Sequence, residues 1–305
     1  MVADDLTGAC DSAAPFLRSG RVMVALWPPA LEPPTGLACL ATSTGSRSEE
    51  PAVSRDRAGQ AAAWLAGQGA GLLYRKVDST FRGNQVADVA GTLDAWPGIC
   101  LLAPALPAED RITRDGIQHW PGGQVDLREL FAGLGSRVQI RDAETGADLD
   151  RLAAEILGGS DVIPAGTAGL AGALARCLAP GPPRAAAELS GLVSRPLALI
   201  GSRAAGPQAD LAEARGWAVR RRLKTDPVDL SGHDGLFLCG GSTAAGVLGA
   251  LGATGLELLG ELAPRVPIGR ILGGSEEGRY VALKSGHFGA VEVIDSALRR
   301  FTGRG

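Results

Sequence analysis

The stretch Lys76-Val77-Asp78-Ser79-Thr80-Phe81-Arg82-Gly83-Asn84 decides how this chain is read. An apolar run just before it, Gly71-Leu72-Leu73-Tyr74, predicts a buried strand, and Gln85 to Ala95 predicts a helix. The nine residues are therefore the turn at the end of a strand. They hold two cations, a carboxylate, two hydroxyls and an amide. A solvated turn with a capped helix needs only a few such groups. This one carries every group needed to hold a small, hydroxylated anion.

The same grammar extends in both directions. Towards the N-terminus, the loop Ala3-Asp4-Asp5-Leu6-Thr7-Gly8-Ala9 stands almost at Met1, with only Met1 and Val2 available for a strand. Either that strand is vestigial or the sequence starts inside a longer natural one. Ala9 to Leu17 reads as a helix, Val22 to Leu26 and Gly36 to Ala41 as strands, and Glu49 to Ala66 as a helix. Downstream, Ile99 to Ala103 is a strand running into the polar loop Pro104 to Gly116, with Asp110, Arg111, Thr113 and Arg114. Val138 to Ile140 is a further strand, Asp148 is read as the cap of a helix through Leu157, and Asp161 to Pro164 precedes a helix to Leu178.

Ala179-Pro180-Gly181-Pro182-Pro183-Arg184 is the clearest linker. Beyond it, apolar strands end in Gly/Ser/Thr turns at Gly201-Ser202, Gly240-Gly241-Ser242-Thr243 and Lys284-Ser285-Gly286-His287. Strands alternate with helices and each polar cluster follows a strand, the pattern of open α/β sheets that bind ligands beyond the carboxyl ends of their strands. The expected architecture is α/β in two domains, each an open, mostly parallel sheet flanked by helices, with a ligand cleft between them. Residues 1–178 form the first domain, 179–195 the linker and 196–305 the second.

At 305 residues the chain has room for two domains and a large core. Its 45% hydrophobic and 21% charged residues suit a soluble globular protein. A net charge of -3 and 4% aromatics give no electrostatic or stacking argument for nucleic acid or an acidic membrane. No signal peptide and no run of about 18 apolar residues is readable, which predicts a cytoplasmic protein. The five cysteines are widely spaced without a C-x-x-C pair, suggesting buried free thiols rather than zinc or disulfides.

The turns after the linker predict phosphate binding, because glycines let the backbone approach an anion and the next helix offers N–H groups and its positive dipole end. Gly240 to Thr243 is the best instance. Walker A and dinucleotide fingerprints are both absent. Asp4 and Asp5, with Thr7, could bind a metal, orient a hydroxyl or take its proton; capping of the following helix, for which Thr7 suffices, is the plain alternative. The adjacent acids do not fit the D-x-D-x-T of haloacid-dehalogenase phosphatases. Of the three histidines only His287, inside a candidate phosphate turn, is a functional candidate.

Together these stretches resemble the four-carbon acid sugar kinase family, long known as a domain of unknown function. The resemblance is carried in order by Ala3 to Ala9, Ser46-Arg47, Lys76 to Asn84, Ala103 to Gly116, Asp142-Ala143, Gly166 to Ala171, Gly201-Ser202, Gly240 to Ala244 and Lys284 to Gly289. It implies a sugar-acid-binding first domain, an ATP-binding second domain, and Mg²⁺-assisted phosphorylation of threonate, erythronate or a 3-oxo-tetronate. By resemblance, Asp4, Asp5, Thr7 and Arg47 lie at the substrate end, and Lys76 and Arg82 pair with the acid's carboxylate. Asp78, Ser79 and Asn84 bond hydroxyls, and Asp5 and Asp78 are the candidates for the base. Ser202, Gly240, Gly241, Ser242, Thr243, Lys284 and Gly286 meet ATP; no metal ligand is assigned.

The chain also departs from the family. The segment from Gly206 to Leu236 is short, Ser242 stands where the family has an aspartate, and His287 replaces a glycine. These departures keep a second reading open, a catalytically impaired relative that binds a sugar acid or nucleotide as a sensor or partner subunit. A small-molecule acid is the expected partner, a homodimer is allowed, and neither nucleic acid nor membrane is expected.

Overall fold

The computed structural model describes residues 1–181, 189–221, 228–286 and 288–304. His287 and part of the expected linker lie outside the described residues. The chain divides into two compact units, Met1–Asp4 with Leu40–Pro182, and Asp5–Cys39 with Pro183–Gly305.

The first unit holds a wholly parallel sheet in the order Cys39–Ser43, Val2–Ala3, Arg75–Lys76, Val162–Gly166, Ile99–Ala103, Val138–Ile140. Parallel neighbours need crossovers, and the helices Pro51–Gly67, Gln85–Ala95 and Gly146–Gly158 supply them, while Ala168–Leu178 follows the unit's last strand. Its core gathers Val77, Val89, Leu93, Leu102, Leu127 and Ile163. The helices Pro51–Gly67 and Gln85–Ala95 meet through glycine: a Cβ on Gly91 would stand 2.0 Å from the Arg55 carbonyl oxygen. A small antiparallel sheet, Ile112–Arg114, Ile117–Trp120 and Gly123–Asp126, follows the Ile99–Ala103 strand.

Three local expectations shift. The strand predicted over Gly71–Tyr74 is instead Arg75–Lys76, because Leu72 stays exposed while the charged Arg75 is fully buried against Asp88. The short first strand is Val2–Ala3, paired on both sides despite its two residues. Thr145, not Asp148, caps the Gly146–Gly158 helix; Asp148 answers it as the third helical residue of a capping box.

The second unit's sheet runs Ala218–Arg221, Pro196–Ile200, Gly235–Cys239, Tyr280–Lys284 with parallel neighbours. It continues antiparallel through Val266–Leu272, Gly255–Ala263 and Val22–Ala25. The antiparallel part was not expected, and it explains why Asp5–Cys39 departs from a contiguous 1–178 unit. Val22–Ala25 pairs with Gly255–Leu258, and the Leu6–Ala13 helix packs on the Gly241–Ala250 helix. All eight residues of Leu6–Ala13 are buried, so this helix is core to its unit. No helix among the described residues is long and apolar enough to cross a membrane.

Candidate functional site

Two clusters of polar side chains form, one in each unit. In the first unit the turn after Arg75–Lys76 is held tightly. Phe81 takes a left-handed φ of 55° and sets its ring edge-on to Phe131 at 6.0 Å, the kind of local strain that a well-packed neighbour sustains. Gly83 has φ +79°, and a Cβ there would stand 2.8 Å from the Arg47 carbonyl oxygen. Only glycine lets this turn lie so close to Arg47.

Asp78 is the hub. It accepts from the Thr80 N–H and hydroxyl at 2.9 and 2.8 Å, and Arg82 Nη2 donates to its Oδ2 at 2.6 Å. Arg47 Nη2 lies 3.4 Å from the same oxygen. Arg47 also grips Asp4 with two bonds of 2.7 and 2.8 Å, and Gln85 Nε2 donates to Asp4 Oδ2 at 3.1 Å. Burial alone would raise the Asp78 pKa, but the Arg82 bonds and the charges of Arg47 and Lys76 outweigh it, holding the carboxyl well below its usual range. Asp4 behaves alike: fully buried, yet lowered by Arg47, Lys76 and Arg75. Both are firmly ionised carboxylates.

Three cations, Arg47, Lys76 and Arg82, thus meet two carboxylates, Asp4 and Asp78. Arg111 brings another guanidinium, bonded to the Ser79 hydroxyl. Beneath them Arg75 and Asp88 form a fully buried ion pair at 2.7 Å, with Ser54 donating to Asp88 at 2.6 Å. Burial and the Asp4 charge raise the Asp88 pKa against the pull of Arg75. The cluster is biased towards an anion. Asn84, expected to meet a sugar hydroxyl, donates its amide N–H to the Glu49 carbonyl at 2.7 Å and so fastens the loop that carries Arg47.

Sequence reasoning missed Arg111, Gln85 and the Arg75–Asp88 pair. Arg111 sat in a loop noted for its charges, but its reach to Ser79 depends on the turn Pro107–Asp110, where Asp110 takes φ 53°. Arg75 falls between the apolar run Gly71–Tyr74 and the turn that opens at Lys76, and the sequence reading gave it no part.

In the second unit, turns after three adjacent parallel strands converge. Gly240 N–H donates to the Lys284 carbonyl at 2.8 Å and Gly201 N–H to the Cys239 carbonyl at 3.1 Å. A Cβ on Gly286 would fall 1.8 Å from Ser202 Oγ, and one on Gly240 would lie 3.5 Å from Ser202 N. Lys284 is 2% exposed, its ammonium donating to the Ser285 carbonyl at 2.8 Å. The Gly241–Ala250 helix opens here without a side-chain cap.

Asp5 belongs to this cluster. It caps the Leu6–Ala13 helix by accepting from Gly8 N at 2.9 Å, and Thr7 Oγ1 donates to it at 3.1 Å. Its carboxylate lies against the first turn of the other helix, where a Cβ on Gly241 would stand 2.6 Å from Asp5 Oδ2. Asp5 and Thr7 therefore sit beside the glycine turn, whereas the sequence reading put them with Asp4. Thr7 alone does not make the cap; Asp5 makes it. Among the described residues no group of three or more His, Cys, Asp or Glu could hold a metal. Burial pushes the Cys10 thiol up, Cys100 up to about 12 and Cys239 up to about 11, so none of the three is a ready nucleophile.

The family model of a sugar-binding N-terminal domain matches residues 1–132, and that of a nucleotide-binding C-terminal domain matches residues 199–294. The chain is 29% identical over 405 aligned positions to a D-threonate kinase of Bordetella bronchiseptica, covering 99% of this chain and 98% of the relative. A 3-oxo-tetronate kinase of Burkholderia multivorans is 25% identical over 99% of this chain and 97% of its own. A crystal structure of a domain of unknown function from Bordetella bronchiseptica, with bound citrate and as a domain-swapped dimer, is 25% identical with a TM-score of 0.52 over 98% and 97% of the two chains. Two domain matches in the expected order and full-length likeness to kinases of this kind place the chain in the four-carbon acid sugar kinase family.

Proposed function

We propose that the chain is an ATP-dependent kinase that phosphorylates a hydroxyl of a four-carbon sugar acid of the threonate, erythronate or 3-oxo-tetronate type. The observation that carries the reading is the first unit's cluster, an excess of guanidinium and ammonium groups around two ionised carboxylates, lined by Ser79 and Thr80. Arg82 and Lys76 meet the acid's carboxylate, Arg82 by the planar fork that suits it. Asp78 and Ser79 meet hydroxyls of the acid, and Asp4 fixes Arg47. Citrate in the related crystal structure is itself a hydroxy acid, which supports an acid of this class.

In the second unit Ser202, Gly240, Gly241, Ser242, Thr243, Lys284 and Gly286 receive the nucleotide's phosphates. The uncapped helix start at Gly241 fits an anion. Mg²⁺ enters such reactions on one or two carboxylates plus substrate phosphates, not in an all-protein cage. That fits a chain in which no group of three or more His, Cys, Asp or Glu among the described residues could hold a metal, so the nucleotide's phosphates would be its main ligands. When bound, Mg²⁺ neutralises phosphate charge. The acid's hydroxyl oxygen forms a bond to the γ-phosphorus, the bond to ADP breaks, and the hydroxyl proton leaves. Asp78, with both oxygens committed to arginines and its pKa held low, is poorly suited to accept that proton. Asp78 positions the cations and accepts a hydrogen bond from the acid's hydroxyl without taking its proton, which leaves Asp5 as the better candidate for the base. Positioning and charge neutralisation supply most of the rate in such reactions.

The test is ADP release from Mg-ATP with a panel of four-carbon acids. Turnover with at least one acid is expected, and Asp78→Ala should abolish acid binding. No ADP with any acid, together with thermal stabilisation by an acid and none by ATP, would refute the kinase and favour the sensor reading. The homodimer belongs to the same proposal and is measured by sedimentation.

A further inference from the structure

In the first unit, one side-chain amide reaches both ends of the turn that carries Asp78 and Arg82. Gln85 is the first residue of the Gln85–Ala95 helix and is 2% exposed. Its Oε1 accepts from the Asp78 N–H at 3.0 Å. Its Nε2 donates to the Arg82 carbonyl at 2.8 Å and to Asp4 Oδ2 at 3.1 Å. An amide nitrogen carries two N–H groups and the amide oxygen accepts, so every polar atom of this side chain is used. The partners also fix its orientation. Turned over, the amide would set N–H against N–H and its oxygen against two oxygens.

These three bonds join the supports of two guanidinium groups. Arg82 takes its place from the turn, whose Asp78 N–H and Arg82 carbonyl both end on Gln85. Arg47 takes its place from Asp4, which it holds through Nε and Nη2. The Nη2 atoms of Arg82 and Arg47 then reach the same oxygen, Asp78 Oδ2, at 2.6 and 3.4 Å. A charged or apolar side chain cannot make this junction. Glutamate loses both donors and sets a second oxygen against Asp4, and leucine leaves the buried Asp78 N–H without its acceptor.

We propose that Gln85 is a positioning residue that sets the spacing between the Arg47 and Arg82 guanidinium groups. It acts through Asp4 on one side and through the turn's peptide groups on the other. Its loss therefore loosens two cations together while removing neither. The consequence for acid affinity rests on the kinase reading; the spacing itself does not.

The full-length protein, made with isotope-labelled arginine, is compared by NMR with Gln85→Leu and Gln85→Glu, without ligand and at a temperature where each is folded. Exchange of the Arg47 and Arg82 Nε–H groups with solvent, assigned through Arg47→Lys and Arg82→Lys, is the first readout. It should quicken about tenfold in Gln85→Leu while backbone amides of Ile99–Ala103 keep their native rates. Gln85→Glu keeps an oxygen for the Asp78 N–H, so that amide should stay protected while Arg47 quickens. Native exchange at both guanidinium groups in both variants would overturn the proposal, whatever their stability. Calorimetric titrations with threonate and erythronate, and KM for the acid and for ATP, form the second arm. In Gln85→Leu acid affinity should fall about tenfold while KM for ATP holds. A glutamine needed only for stability would leave the folded variant with native acid affinity, and that result would also overturn the proposal. Quickened exchange in a protein that binds neither acid would support the spacing role while striking the kinase reading.

Discussion

Replacing Arg47 by alanine is the sharpest perturbation of the first unit's cluster. Asp4 has no exposed side-chain surface, and Arg47 gives it two short bonds. Removing one partner of a buried pair costs roughly 3–5 kcal/mol, because the other charge is left uncompensated. Arg47 is itself 23% exposed, and Asp4 keeps the Gln85 bond and the charges of Lys76 and Arg75. The expected loss therefore sits at the low end, about 3 kcal/mol. The pH dependence should change sign. In the native chain the lowered Asp4 pKa gives stability that is present above the unfolded value of 3.8 and lost as pH falls through the folded one. With Arg47 gone, burial dominates and the folded pKa moves up. The folded state then binds the extra proton, and stability declines as pH rises from the unfolded value through the raised one. The deficit of Arg47→Ala should thus be smaller at pH 5 than at pH 8. Adding Asp4→Asn removes the stranded charge and should restore at least half of the loss, a coupling that a double-mutant cycle isolates. A chain of two units need not unfold in one step, so urea denaturation is paired with hydrogen exchange of amides in Ile99–Ala103 and Val162–Gly166. A loss below about 1 kcal/mol, a deficit independent of pH, or no rescue by Asp4→Asn would refute the reasoning.

Glu261, half-buried and beside Asp11, has its pKa raised to about 7 by desolvation and that neighbouring charge. A raised carboxyl costs stability as pH climbs from 4.5 to about 7, so Glu261→Gln should gain up to about 3 kcal/mol over the native chain at pH 8 and little at pH 5, read by urea midpoints. Gly91→Ala drives a methyl into the Arg55 carbonyl and should cost about 1–3 kcal/mol or more in first-unit stability. Gly286→Ala displaces Ser202 and should weaken nucleotide binding about tenfold while leaving the affinity for the acid unchanged, as measured by calorimetry.

The strand–turn–helix grammar was legible wherever a strand is buried on both faces. Ile99–Ala103 and the helix Gln85–Ala95 have the bounds that their apolar patterns predict. It failed where a charge lies inside. Arg75 is a strand residue only because Asp88, thirteen positions later, meets it in the core, and no local pattern carries that pairing. The hairpin Gly255–Ala263 with Val266–Leu272 was hidden for a related reason. Glu261 and Arg265 interrupt its alternation, and the charge that pairs with Arg265 comes from Asp11, at the other end of the sequence. The donors around Asp78 were legible as residue types, since one turn holds most of them. Arg111 and Gln85 were not, because their contribution depends on where a distant loop and a helix start fall.

The pair Asp4-Asp5 shows how little adjacency says about shared work. Asp5 has extended backbone, φ -138° and ψ 155°, continuing the conformation of Val2–Ala3. In extended chain successive side chains point to opposite sides. One carboxylate is therefore delivered to Arg47 and Gln85, the other to its own helix start and to Gly241. Two acids that look in sequence like one metal or proton site are thereby assigned to two different clusters, and the division between the compact units falls between them. A shift of one residue in the register of this short strand would exchange the directions of the two side chains and turn Asp4 away from Arg47 and Gln85. The parallel pairing of Val2 with Thr42 and Ala3 with Ser43 is what prevents the exchange. So a strand of two residues is kept in the middle of the sheet: its length is enough to set register, and register is what tells the two carboxylates apart.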